Sequence, residues 1–247
     1  MEERNFLSLF KNEKPIIGML HLKGDSAESI FERFKKELNM YIEHGVDGVI
    51  VESYYGSYSN LEQALDYIHT TGISIPYGVN CLNLDTMGFY LAKKYNADFV
   101  QIDSVVGHVK ARDEEGLEEY FKLMRSYYDG YLIGGVRFKY QPVLSEKSLE
   151  EDLKIAMRRC DGICVTQDRT GQETSIEKIK EFKDVIGEFP LIIAAGVTPD
   201  NVKSSFNFGD AAICGSFFKD NYKDEGELCS EHIDELIHSV NCIREGK

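Results

Sequence analysis

LIIAAGVTPDN (191–201) and, after a short amphipathic segment, DAAICGSFFKD (210–220) are runs of small and apolar residues that each halt at a glycine, Gly196 in the first and Gly215 in the second. Two readings compete for these glycines. In the steric one, glycine turns the chain where φ must be positive. In the functional one, backbone N–H groups with no Cβ in the way close around an anion such as phosphate. Working outward, similar runs recur at IIGML (16–20), GVIVE (48–52), YGVNCL (77–82), DFVQI (98–102), YLIGGV (131–136) and GICVT (162–166), so that with LIIAA (191–195) and AAICG (211–215) there are eight. Between them lie polar segments such as SIFERFKKELNMYIEHG (29–45), DTMGFYLAKKYNA (85–97) and SLEEDLKIAMRRC (148–160), with apolar residues at helical intervals. Ser26, Asp85, Ser148 and Thr198 stand where N-caps are wanted, Pro199 falls in a first turn, and Gly45 and Gly72 close helices. Eight strand–helix units in this length predict an α/β protein, a single (β/α)8 barrel over residues 1–247, with residues 1–14 an N-terminal extension or helix covering the barrel. An open doubly wound sheet would favour a glycine fingerprint after its first strand; here HLKGD (21–25) follows, and GxGxxG is absent.

Composition narrows the partners. A net charge of −14 opposes nucleic-acid binding through a basic face. A local cationic cluster can still hold a small anion inside a cleft. No apolar run approaches the roughly 20 residues of a membrane helix, and MEERNFLSLFKNEK (1–14) lacks the apolar segment of a signal peptide. The expectation is a cytoplasmic protein with a small-molecule ligand and neither a membrane nor a nucleic-acid partner; a homo-oligomer stays open. Of six cysteines, the only close pair, Cys160 and Cys164, has no CxxC spacing or histidine companion. Neither a zinc site nor a disulfide framework is expected, and no metal or cofactor is assigned.

Barrels of this kind carry their active sites at the C-terminal ends of the strands, where side chains alternate between the interior and the helix layer. In DFVQID, Val100 and Ile102 facing helices sends Gln101 and Asp103 inward. In GGVRFK, Val136 and Phe138 facing helices sends Arg137 and Lys139 inward. The first strand ends in His21, the second in Glu52, the third in Asn80 and the sixth in Thr166. Polar groups at the mouth of an apolar barrel are costly unless they pair or serve a ligand. Glu52 and Asp103 could equally form a structural ion network with Arg137 and Lys139, and Asn80 and Thr166 could satisfy loop backbone. His44, His69, His232 and His238 fall in helical segments, while His108 is undecided. The last two strands supply glycine turns, the usual place of a barrel phosphate site: Gly196 and Val197 in one, Gly215 and Ser216 in the other, with FFKDNY (217–222) as a short helix and Lys219 either helping or decorating the surface.

PIIGMLHL (15–22), GVDGVIVES (45–53), YGVN (77–80), VTQDRTG (165–171), AAGVTPDN (194–201) and CGSFFK (214–219) together resemble the BtpA/SgcQ family over most of the chain. That family takes its name from a factor implicated in photosystem I accumulation and also occurs in organisms without photosynthesis. The resemblance implies a ribulose-phosphate-binding-type barrel; it supplies no established reaction. The sequence departs from the family pattern inside the expected site. KGDSAES (23–29) replaces a Pro-rich loop, NLD (83–85) an Arg-Asn-Asp run, Gln101 and Asp103 an Arg and an Asn, and Lys139-Tyr140 a Lys-His pair.

The leading expectation is an enzyme acting on a phosphorylated sugar or related small phosphate ester, as a lyase, an isomerase or a glycosyl-bond-cleaving enzyme. Glu52 or Asp103 would be the general base, and Lys139 or His21 would stabilise charge developing on oxygen. Lys139 could instead form a Schiff base, its pKa lowered by a neighbouring Arg137. Asn80, Gln101, Arg137 and Thr166 would bind substrate, and Gly196, Val197, Gly215 and Ser216 its phosphate. The alternative is a non-catalytic assembly or stability factor of the BtpA type, which predicts an exposed apolar patch. Metal-assisted hydrolysis through His21, Glu52 and Asp103 has suitable residue types but no local ligand motif.

Overall fold

The computed structural model describes residues 4–107, 113–144 and 146–246, so His108 lies outside the described residues. Eight parallel strands close into a barrel in chain order. They are β1 (Ile16–His21), β2 (Gly48–Glu52), β3 (Tyr77–Asn80), β4 (Phe99–Ile102), β5 (Tyr131–Gly135), β6 (Gly162–Val165), β7 (Leu191–Ile193) and β8 (Ala211–Cys214). Around them run α1 (Ala27–Glu43), α2 (Tyr58–Thr71), α3 (Asp85–Lys94), α4 (Glu114–Tyr127), α5 (Leu149–Arg159), α6 (Ile176–Ile186), α7 (Val202–Ser205) and α8 (Ser230–Arg244). The eight apolar runs of the sequence are the eight strands.

Helix starts follow local chemistry. Ser26, Ser57 and Ser148 each accept the N–H of the residue three positions on, whose side chain reaches back to the serine N–H. Two expected caps differ. Asp85 is the first residue of α3 rather than its cap, and α7 starts only at Val202, after a separate turn in which the Thr198 carbonyl accepts the N–H groups of Asn201 and Val202.

Two apolar shells divide the core. Outward strand side chains such as Val49, Val51, Val79, Val100 and Leu132 pack against the helices. Inward ones, among them Ile17, Met19, Ile50, Phe99, Ile133, Cys164, Ile192 and Ile213, fill the barrel. Gly78 makes room for the Phe99 ring: a Cβ there would lie 2.2 Å from it. At the N-terminal end of the strands, a one-turn 3₁₀ helix (Phe6–Leu9) delivers Phe6, fully buried, into the same inner cluster. Its ring lies edge-on to Phe99 at 5.2 Å.

A fourfold device holds that end together. Asp47, Asp98, Asp161 and Asp210 each stand just before an even-numbered strand. Each accepts, at 2.8–2.9 Å, the N–H of a residue at the start of the preceding odd strand: Ile16, Tyr77, Leu132 and Leu191 respectively. Each aspartate N–H in turn donates to the carbonyl of that same residue. Three of these carboxylates also meet cations: Asp47 meets Arg244, Asp161 meets Arg125, and Asp210 meets Lys183. Polar residues at this face of a barrel secure the fold.

Candidate active site at the barrel mouth

A cavity of about 810 Å³ opens at the C-terminal ends of the strands. That is ample for a small organic ligand. Its walls include His21, Glu52, Gln101, Asp103 and Lys139 from one half of the barrel, and Gly196, Val197, Gly215 and Ser216 from the other. Alternation along the strands accounts for His21, Glu52, Gln101 and Asp103, since each lies two positions beyond an interior residue or continues that face.

The carboxylates form one hydrogen-bonded cluster. The Asn80 amide donates to Glu52 Oε1 at 3.0 Å and to Asp103 Oδ1 at 3.3 Å. Glu52 Oε2 is 3.2 Å from His21 Nε2. Asn80 thereby orients two acids that would otherwise repel, and it is buried behind them. Burial, reinforced by the Glu52 charge, pushes the Asp103 carboxyl up to about 6. Gln101 is buried, and its Oε1 has no hydrogen-bond partner among the described residues. Among the described residues, no three His, Cys, Asp or Glu side chains gather as a metal would need.

Beyond β5 the strand rule fails, and the expected placement is corrected. The strand ends at Gly135, and Arg137 takes a left-handed φ of 48°. The flip sends Arg137 outward, where it pairs with Asp152 of α5 at 3.0 Å and donates to the Lys147 carbonyl. Phe138, expected against the helices, joins the inner cluster instead. Lys139 still lines the cavity; its ammonium is 5.5 Å from the Phe138 ring and makes no ion pair among the described residues. Thr166 is fully buried and accepts the Lys139 N–H at 2.7 Å, so it fixes that turn rather than touching the cavity.

The two glycines answer differently. Gly196 has φ 71°, and a Cβ there would sit 2.3 Å from the Gln172 carbonyl oxygen, so backbone geometry alone demands glycine. Gly215 has a negative φ, and a Cβ would meet nothing nearer than Met19 Cβ at 3.4 Å. Glycine there leaves room in the cavity. The N–H groups of Gly196, Val197, Gly215 and Ser216 donate to no acceptor among the described residues. The expected helix after Gly215 is only the 3₁₀ turn Ser216–Phe218.

Lys219 is a further correction. It is neither a surface residue nor an anion ligand: it is fully buried and pairs at 2.8 Å with the buried Glu37 of α1. Arg33 of the same helix grips Glu37, Glu227 and the Gly226 carbonyl. These contacts tie the β8–α8 segment, with Ser216 at its start, to α1.

The tyrosines of the rim escaped the sequence reading. Tyr54, Tyr140 and Tyr222 line the cavity from three different loops, and Asp224 beside them accepts the Tyr55 hydroxyl. Tyrosine within strand–helix loops was the available signal.

The BtpA family model matches residues 12–242. This chain belongs to the BtpA family. The motifs quoted from the sequence thus imply the right relationship. Among BtpA-related proteins, the uncharacterized protein MJ1115 of Methanocaldococcus jannaschii is 26% identical, covering 96% of this chain and 99% of its own. Photosystem I biogenesis protein BtpA of Synechocystis is 23% identical, covering 85% of this chain and 82% of its own. Among solved structures, the fold is similar to that of a protein described as native KDPGal, with TM-score 0.66, 12% identity, and 94% and 97% of the two chains covered. It is also similar to phosphoribosyl anthranilate isomerase from Thermus thermophilus, with TM-score 0.63, 11% identity, and 93% and 99% covered. At such identities the likeness is one of fold, and it is the barrel the sequence predicts. Among the described residues no helix is long and apolar enough to cross a membrane.

Proposed function

We propose that this BtpA-family barrel is an enzyme acting on a phosphorylated sugar or related small phosphate ester by acid/base catalysis. One observation carries the reading: a single cavity joins four backbone N–H groups on the β7 and β8 turns, unpaired among the described residues, to a carboxylate–amide–histidine cluster on β1–β4. Unpaired N–H groups suit phosphate oxygens. Asp103 is the general base: a carboxyl that titrates near 6 is ionised at neutral pH yet more basic than a solvated one. Asn80 and the His21–Glu52 pair orient it and keep a second proton carrier in reach. Lys139, without an ion pair among the described residues, meets negative charge developing on oxygen. Arg137 has no part in this, since it is committed to Asp152. Lyase, isomerase and glycosyl-bond cleavage all fit this constellation.

The test is a thermal-shift screen with inorganic phosphate, sugar phosphates, nucleotides and unphosphorylated sugars. A ligand at 100 times its Kd stabilises the fold by about 2.7 kcal/mol. Stabilisation by a phosphate ester that is lost in Gly215→Val supports the reading. No response to any phosphorylated compound overturns it and favours an assembly or stability factor.

A further inference from the structure

The cavity's phosphate and acid/base groups leave its outer wall unexplained. Tyr54, Tyr140 and Tyr222 reach it from the loops after β2, β5 and β8, together with Phe217. The three tyrosines remain 38%, 68% and 56% exposed. Large aromatic rings left open around one concavity point to a ligand face. Each is held rather than loose. Tyr54 packs 5.2 Å from the His21 ring, the Tyr140 hydroxyl accepts the Thr170 N–H at 3.0 Å, and Tyr222 stacks on His232 at 4.5 Å and 14°. Phe217 also lies 5.8 Å from the Tyr222 ring, so Tyr222, Phe217 and His232 form one aromatic group whose tyrosine stays half exposed.

The backbone supplies an independent sign. Tyr140 and Tyr222 adopt left-handed φ values of 61° and 59°, and Tyr55, next to Tyr54, one of 67°. Glycine, asparagine or aspartate would take these angles with less strain. Strained non-glycine residues gathered at one rim are characteristic of ligand clamps.

Resting on the proposed phosphate site, we infer that the ligand is a phosphate monoester bearing a planar ring, with the phosphate on the Gly196 and Gly215 turns and the ring stacked on the tyrosine wall. Size agrees: a cavity of about 810 Å³ exceeds what a phosphate and a short sugar would fill. The middle of the ligand then lies over Asp103, Glu52 and Lys139. Stacking of a planar ring on tyrosine tolerates many rings because it uses the π face.

Calorimetric titration of the whole protein with adenosine 5′-monophosphate, uridine 5′-monophosphate, ribose 5-phosphate, inorganic phosphate and adenosine tests this. The expected result is that at least one nucleoside monophosphate binds about tenfold or more tighter than ribose 5-phosphate. Tyr140→Ala and Tyr222→Ala should each erase most of that advantage while leaving ribose 5-phosphate affinity unchanged, with the melting temperature lowered by no more than about 4 °C for the lost Thr170 and His232 contacts. Ribose 5-phosphate binding as tightly as both monophosphates overturns the inference and leaves the proposed function standing. Adenosine binding as tightly as its monophosphate, with no response to ribose 5-phosphate or phosphate, overturns the phosphate site and retains the ring site. Failure of all five to bind overturns both.

Discussion

At the scale of single residues, the two cavity glycines are separable by experiment. Gly196→Ala forces a Cβ into the Gln172 carbonyl at a positive φ, and should cost about 2 kcal/mol or more of stability in urea melts. Gly215→Ala meets only ordinary contacts; its stability should stay within about 0.5 kcal/mol of the parent, while phosphate-ester affinity falls. Asp103 makes a pH prediction. In the folded state it titrates near 6, against 3.8 when unperturbed, because burial disfavours its charge. The native state therefore binds the extra proton between those values. The contribution of Asp103 to stability is most favourable below about pH 4, declines as pH rises to about 6, and is a constant penalty above. Asp103→Asn should raise stability at pH 7.5 by an amount on the order of 2 kcal/mol and flatten that decline. Turnover of the parent should rise through a midpoint near 6, and in Asp103→Asn it should be lost.

At the scale of elements, the aspartates before β2, β4, β6 and β8 join successive strands in pairs, each through two reciprocal bonds. Asp161→Ala would strip a partner from the buried Leu132 N–H and from Arg125. It should lower unfolding free energy by about 2–3 kcal/mol in denaturant melts without altering ligand affinity. The repeat is visible in the sequence as VDG (46–48), ADF (97–99), CDG (160–162) and GDA (209–211), but a single acid before a strand looks like any turn residue. Only pairing across the barrel reveals its partner. Element existence was legible from periodicity; the flip after β5 was not. In GGVRFK, strict alternation puts Arg137 inward, but the left-handed turn at Arg137 reverses the register at Phe138. Arginine carries no sequence mark of positive φ.

At the scale of the whole molecule, the barrel is filled from below and open above. Phe6 closes the lower end against Phe99 and Tyr131, so Phe6→Ala should leave a void and cost about 3–5 kcal/mol in thermal or urea melts. The cavity at the upper end should survive in that variant, with phosphate-ester affinity retained. The net charge of −14 gives the protein a field that disfavours anions, so retention of an anion at the mouth falls to local N–H groups and Lys139 rather than to the global field.

The sequence by itself determined the barrel, the strand order and the inward placement of His21, Glu52, Asn80, Gln101 and Asp103, because strand and helix periods are local properties of the chain. Tertiary structure alone decided which polar residues face each other. Lys219 reads as a surface lysine until α1 brings Glu37 against it, and Arg137 reads as a site residue until α5 offers Asp152. The tyrosine wall likewise exists only where three loops far apart in sequence converge. The physical reason is range: periodicity and capping act over a few residues, whereas charge pairing and cavity shape depend on contacts that loop closure alone creates.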